Sequence, residues 1–347
     1  MKKLVVLLLV LSVSMVLFAG GQGDKPAAGG GQLPLRGQTV NICSTVHEDV
    51  IKRLSEMFEA QTGGKLAAVR MATGEAVTRL MAEKDNPQFD LFFGSPTDAH
   101  VSLKNAGITA AYDAKNKEAI IDGYYDKENY YFGIMLEVLS IGINTDSWKE
   151  KYEGKVQMPK SLEELTNPIF KGDIISPNPN TSGTAYLLLA SYINTVGEDK
   201  AYQWFADFGK NVAQFTRSGF TPAQRVGIGE YTICVNFVND QLIIKNANFP
   251  IVSHIYNRAG WSPMCISKVK GAKNDAAANA FIDLALSKEG MEVFVDINSG
   301  MATRTDTRNP RNGFKLAELD LDKSFDFTVA AEKKDDRLKK LSALVDF

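Results

Sequence analysis

Cysteine and histidine are scarce in this chain, with three of each among 347 residues. Cys43, Cys234 and Cys265 are too few for a disulfide framework, and none stands in a CxxC or Cys/His cluster of the zinc type. They fall in apolar strand-like runs and read as buried packing residues; a Cys234–Cys265 bridge is the competing reading. The three histidines, His47, His100 and His254, are scattered and no acid/base pair accompanies them. Also missing are a GxSxG elbow, an HExxH, a P-loop and a GxGxxG followed by a suitable acidic residue, so no enzyme is expected. Positive charge is not in excess: 39 Lys plus Arg stand against 41 Asp plus Glu, a formal charge of -2. That leaves little field to draw in phosphate backbones, and no nucleic-acid partner is expected. No internal repeat of about 20–50 residues suggests a solenoid.

What is present is the balance of a globular protein, 44% hydrophobic and 23% charged. The length suits two lobes of roughly 150 residues each. The one long apolar run is N-terminal. Met1-Lys2-Lys3 leads into Leu4 to Phe18, broken only by Ser12 and Ser14, and Ala19-Gly20-Gly21 follows. A basic start, a run shorter than the roughly 20 residues of a bilayer span and a small-residue exit read as a signal peptide over 1–21. A retained anchor is the alternative. No cysteine stands at the exit to accept a lipid, so a periplasmic or extracellular location is expected. The Gly/Ala/Pro-rich stretch that follows reads as a flexible linker over 22–35.

Strand and helix periods alternate through the rest. Thr39 to Cys43 reads as a strand, Val50 to Phe58 as one apolar helix face ended by Gly63-Gly64, and Lys65 to Met71 as a strand. Glu75 to Lys84 is helical in period and Phe89 to Phe93 a buried strand. Gly133 to Asn144 is an unusually long apolar strand. A second series comprises Asp173–Ser176, a helix from Thr184, Val212–Thr216, a helix opened by Thr221-Pro222, Tyr231–Val238 and Pro250–Tyr256. Met264–Val269, a helix over Asp275 to Leu286 and an amphipathic tail helix around Val329 to Leu344 complete it. The pattern predicts an α/β fold with a mainly parallel sheet.

Several stretches occur in the order found in one family: DIISPNPNTSGTAY (173–186), NVAQFTRSGFTP (211–222), GEY (229–231) and GAKNDAAANAFIDLALSKEG (271–290). GEAVTRLMAEKDNPQFDLFFG and YYFGIMLEVLSIGINT fit as well. Over about residues 39–308 the chain resembles the periplasmic solute-binding proteins of ABC importers, in the branch holding ferric-iron, phosphonate and sugar-phosphate binders. The resemblance implies a type 2, Venus-flytrap fold, in which two α/β lobes joined by crossing strands hold a ligand between them. Carried onto this chain, it implies crossings at 133–144 and near 256–269. Lobe one would be 36–140 plus 262–347, and lobe two 141–261. It also implies a monomer that takes a small anionic solute, needs no cofactor and meets a membrane permease.

Thr181-Ser182-Gly183-Thr184 precedes a helical run, where free N–H groups and small hydroxyls suit a phosphate, phosphonate or carboxylate. An ordinary N-cap by Ser182 competes, and the resemblance tips the balance toward Ser182, Gly183 and Thr184 as anion ligands. Ser44 and Thr45 end the first strand, though Thr45 with Glu48 also spells a capping box. Thr73, Gly74, the Gly94-Ser95 turn and Ser218 are further small-residue turns with the same double reading. Asn239 and Asp240, read as a loop after a strand, stand where sugar-phosphate-binding relatives hold hydroxyls, and Asp240 is expected to accept from the ligand. Glu137 interrupts the apolar crossing strand; it faces the cleft to take an amine or hydroxyl, or forms a hinge ion pair. Arg258 is either an anion clamp or exposed, and Trp261 packs in the core. Ferric binders carry adjacent tyrosines beside the Asn239 position, and this chain has none there, so iron with a small anion is the alternative ligand. His47 stands near where, by that resemblance, a ferric ligand would come from, but a lone His in a first helical turn reads as a solvated residue.

Overall fold

The structure is a computed structural model that describes residues 33–311 and 313–347. The expected signal peptide, and the linker through residue 32, lie outside the described residues. Leu35, expected in the linker, is already packed: it is buried and its N–H donates to Thr62 O at 2.9 Å.

The strands are β1 (Thr39–Ser44), β2 (Lys65–Arg70), β3 (Leu91–Pro96), β4 (Thr109–Ala110), β5 (Phe132–Asn144), β6 (Ile174–Pro177), β7 (Val212–Thr216), β8 (Ile233–Phe237), β9 (Ile251–His254), β10 (Trp261–Val269) and β11 (Met301–Ala302). Their order is β2-β1-β3-β10-β5-β8-β6-β7, with β4, β9 and β11 off this path. β5 is the joint. Phe132 to Val138 pair with β10, and Leu139 to Asn144 pair with β8 and β9. All thirteen residues of β5 are buried, which is why its sequence is a near-continuous apolar run instead of an alternating one. The chain returns between β9 and β10, where Leu139 N–H donates to Gly260 O at 2.9 Å. This is the two-lobe α/β fold with crossing strands.

The expectation of a mainly parallel sheet needs correction. β1 is parallel to β2 and β3, and β6 is parallel to β7 and β8. Every pairing made by β5 or β10 is antiparallel. Helical crossovers enforce parallel pairing in the outer parts, whereas strands that leave one half and return from the other necessarily run in opposition.

In the first half the helix Asp275–Ala285 sends Phe281 against Phe58 and Phe93, edge to face at 5.6 and 5.5 Å. Each such pair adds about 0.5–1.5 kcal/mol to the area buried. Asp90 joins β1 to this helix by accepting from Asn41 N–H at 2.8 Å and Asn274 N–H at 3.0 Å. In the second half the helices Gly183–Val196 and Glu198–Gly209 pack Tyr186, Leu189, Trp204 and Phe208 over β5, β6 and β8. The C-terminal tail touches both halves. Leu321, Phe325, Leu341 and Val345 share that second core, while Lys334 pairs with the buried Asp98 of the helix Thr97–Asn105 at 3.1 Å. The expected single tail helix is two, Phe327–Glu332 and Lys334–Ser342, broken at Lys333.

Cys43, Cys234 and Cys265 are free and wholly buried. Burial pushes the Cys43 and Cys265 thiols up to about 12 and raises Cys234 as well, so little thiolate exists at pH 8. Native protein should therefore be silent toward Ellman's reagent and release three equivalents of chromophore once denatured. Fast labelling of folded protein would contradict this packing.

Candidate functional site

Polar turns from both halves converge on a cleft of ≈ 260 Å³ between them. Each wall is built from chain reversals at strand ends, where backbone donors and short side chains come free of the sheet.

On the first wall, Thr45 follows β1, Thr73 opens the helix Thr73–Ala82 and Ser95 lies near the end of β3. Their hydroxyls form a chain, with Thr73 to Ser95 at 3.1 Å and Ser95 to Thr45 at 3.3 Å. Gly94 (φ 102) and Ser95 (φ 74) make the reversal, and a Cβ at Gly94 would sit 2.3 Å from Thr45 Oγ1. His100 fixes this turn from beneath. Its Nε2 lies 2.7 Å from Gly94 O, an acceptor only, so Nε2 carries the proton and Nδ1 accepts from Ser267 Oγ at 2.6 Å. The ring stacks on Phe92 at 4.5 Å, and burial lowers its pKa to about 4. The capping box is not formed: His47 occupies the N-cap of the helix Glu48–Thr62, and no side chain caps it.

On the second wall, Ser182 is the N-cap of the helix Gly183–Val196, yet its side chain makes no capping bond. The N-cap explanation of this residue is thus not what the structure shows. The hydroxyl is uncommitted beside the first N–H groups of a helix, which have no partner within it. Ser182 and Thr184 line the cleft, and the turn through Ser218 and Gly219 lies against them. Asn239 and Asp240 belong to the first turn of the helix Val238–Asn246, not to a loop, because β8 runs into that helix without a punctuating residue. An amide network holds Asp240. Asn236 Nδ2 donates to Asp240 Oδ2 at 3.3 Å, and Gln241 Nε2 donates to Asn236 Oδ1 at 2.9 Å.

The floor is β5. Glu137 projects from it into the cleft, 8% exposed, with Oε2 unpartnered. Burial, with added repulsion from Asp240 and Asp98, holds its carboxyl well above the ordinary range. No hinge ion pair forms at Glu137 among the described residues.

Nine of the twelve expected ligand residues line this one cleft: Thr45, Thr73, Ser95, Glu137, Ser182, Thr184, Ser218, Asn239 and Asp240. The other three do not. Ser44 is its strand neighbour's opposite, buried on the far face with its hydroxyl accepting from Val46 N–H at 3.0 Å. Gly74 spends its N–H on Thr181 O of the other wall, at 3.0 Å. Gly183 supplies room, since a Cβ there would stand 2.8 Å from Thr73 Oγ1.

The walls also touch directly. Arg217 pairs with Glu75 at 3.1 Å, and His47 lies 3.4 Å from Asp240 with its ring 4.3 Å from Phe220. His47 is thus a cleft residue and not the solvated one expected. Arg70, Arg217 and Asn298 are further lining residues with no local signature. Arg258 is elsewhere, bound to Asp322 at 3.1 Å, and Trp261 packs in the core with Nε1 donating to Asp322 O at 2.9 Å. Among the described residues, no group of three His, Cys, Asp or Glu side chains is arranged to hold a metal ion, and no tyrosine lines the cleft.

Two α/β halves on a shared strand, closing on a small cleft lined by hydroxyls and free N–H groups, define a protein that binds a small solute. The sequence profile of the bacterial extracellular solute-binding proteins matches residues 85–319, and the chain belongs to that family. It is 30% identical over 328 residues to an uncharacterized protein of Haemophilus influenzae, covering 90% of this chain and 92% of that one. The Fe(3+)-binding periplasmic protein of Serratia marcescens is 22% identical over 293 residues, covering 82% and 81%. The periplasmic binding protein AfuA of Actinobacillus pleuropneumoniae, solved with fructose-6-phosphate bound, superposes with a TM-score of 0.85 at 27% identity. That match covers 89% of this chain and 99% of AfuA. No helix among the described residues is long and apolar enough to cross a membrane.

Proposed function

We propose that this protein captures a small acidic solute, of the phosphonate or sugar-phosphate kind, and delivers it to the permease of an ABC importer. The carrying observation is the uncommitted Ser182 hydroxyl at a helix start, facing the linked hydroxyls of Thr73, Ser95 and Thr45 across the cleft. Neutral donors from both walls then grip one anion, so binding stabilises the closed form by differential contact. Arg70, exposed at the rim and without a carboxylate partner among the described residues, adds attraction. The fructose-6-phosphate held by AfuA is consistent with this class of ligand. On this reading the working lobes are those expected from the resemblance, with the tail seated on both, and the chain is exported and acts as a monomer.

Titration calorimetry in phosphate-free buffer, against alkyl phosphonates, sugar phosphates and phosphoglycerate, should give saturable one-to-one heat with at least one compound. Silence across that panel, with stoichiometric uptake of ferric ion and a visible absorption band, would replace this reading with the iron alternative.

A further inference from the structure

Positive charge collects away from the cleft, in a groove of ≈ 570 Å³ between the helix Glu198–Gly209 and the tail helix Lys334–Ser342. Lys333, Arg337, Lys339 and Lys340 line it against Glu198 and Asp336, a surplus of two positive charges on a chain whose net charge is -2. Lys333 at the helix N-cap, Arg337 and Lys340 recur at i, i+4 and i+7, so they share one face, where like charges repel. Arg337 is the member with no answer inside the protein. It is 9% exposed, its Nε is buried without a hydrogen-bond partner, and no carboxylate among the described residues forms an ion pair with it. Glu198, close enough to feel Arg337, is held by Lys340 at 2.7 Å, and Asp98 is held by Lys334 at 3.1 Å. The Tyr186 hydroxyl approaches the guanidinium, but its own proton goes to Ala330 O, and a neutral oxygen does not balance a charge. A guanidinium keeps its proton at any ordinary pH, so it cannot escape burial by neutralising as a lysine can. A buried charge left in that state marks the seat of an anion.

We infer that this groove is a second anion site, separate from the cleft, and that it takes a phosphate group. The planar fork of Arg337 matches a pair of phosphate oxygens. Lys333 and Lys339, both exposed and without a carboxylate partner among the described residues, reach the same group from the rim. Lys340 serves as wall, tied to Glu198 and lying over the Tyr202 ring at 5.1 Å from its centroid. Asp336, exposed on the same helix, opposes the anion, but three cations outweigh it. A fork and two ammonium groups suit the several oxygens of a phosphate better than a single carboxylate. The phosphate belongs either to a soluble ion or ester or to a lipid headgroup; the chemistry is shared, and experiment separates the sources. Nothing in this inference rests on what the cleft binds.

The test follows the Nε–H resonance of Arg337 by nuclear magnetic resonance, identified by its loss in Arg337→Lys. Inorganic phosphate added at constant ionic strength should shift it along a saturable curve, whereas chloride should leave it in place. Gly183→Val, which holds the cleft walls apart, should give the same curve. The double variant Lys333→Gln/Lys339→Gln, altered only at exposed positions, keeps the resonance and should bind phosphate about tenfold more weakly. Cosedimentation with vesicles of phosphatidylglycerol in phosphatidylcholine, lost in the double variant, would assign the phosphate to a lipid headgroup. A phosphate response without cosedimentation would assign it to a soluble ion or ester. The proposal is overturned by no response to phosphate together with no cosedimentation, by an equal response to chloride, or by unchanged affinity in the double variant. A curve that disappears in Gly183→Val would put the phosphate in the cleft and remove the second site as well.

Discussion

Gly183→Val is expected to weaken solute binding about a hundredfold while leaving the melting temperature of ligand-free protein unchanged. Gly183 opens the helix of the second wall, yet what a Cβ there would meet belongs to the first: Thr73 Oγ1 at 2.8 Å and Pro96 Cδ at 2.9 Å. Both distances are shorter than a carbon can tolerate. The neighbours cannot yield, since Pro96 lies in β3 and the Thr73 hydroxyl is tied to Ser95. Relief comes only from holding the walls apart, so the overpacking cost of about 1–3 kcal/mol falls on the closed form and spares the open one. The same separation breaks the Gly74–Thr181 backbone bond and the Arg217–Glu75 pair. Calorimetry and ligand-free calorimetric melts read the two quantities independently. Gly183→Ala, with the clash but without the branches, should fall between. A hundredfold loss accompanied by an equal loss of stability would mean that Gly183 serves the fold of its own half, and wild-type affinity would mean that the walls need not approach this closely.

This expectation shows which part of the site was readable from the chain. The small-residue turns could be found because their chemistry is local: a hydroxyl or glycine between a strand period and a helix period announces itself in four residues. What each residue of the site does depends on partners distant in the chain, 22 positions apart for Thr73 and Ser95 and 193 for His47 and Asp240, and there sequence reading divided unevenly. Ser44 and Thr45 looked alike, but adjacent residues of a strand face opposite ways, and only Thr45 reaches the cleft. His47 looked like a solvated first-turn residue until Asp240 and Phe220 were brought to it from the other half. Asn298 and Arg70 carry no signature at all, being an ordinary helix end and the last residue of an edge strand. The helix Thr97–Asn105 escaped notice because Thr97, Asp98 and His100 are buried beside Ala99, Val101 and Leu103, so no apolar stripe set against a polar face marks its period. That missed helix carries His100, on which the first wall turns.

Acid should weaken this protein through His100. The imidazole is wholly buried and its pKa is lowered to about 4, chiefly because a charged ring has no water there; the bond to Gly94 O opposes the shift only in part. In the unfolded chain it titrates near 6.5. Above that value neither state binds the proton and the residue adds no pH dependence. As pH falls below 6.5 the unfolded chain takes up a proton that the folded one refuses, so stability is lost, and the loss is complete once the folded ring itself protonates near pH 4. The linkage amounts to about 2.5 kcal/mol between pH 7.5 and pH 4.5. Carboxylates titrate over the lower part of that range, so the measurement is a difference between proteins. Urea unfolding of wild type and His100→Gln at both pH values should show the gap between them shifting by that amount in favour of the variant at pH 4.5. Glutamine can donate to Gly94 O and accept from Ser267, but it cannot take the proton. Parallel pH profiles for the two proteins would show that the ring is not desolvated as its surroundings imply. A protonated His100 also loses its acceptor for the Ser267 hydroxyl, which loosens the support of the Gly94–Ser95 turn. Solute affinity should therefore hold until the folded ring itself protonates, falling in wild type only as pH approaches 4 and less steeply in His100→Gln, which ties the buried ring beneath the first wall to what that wall can hold.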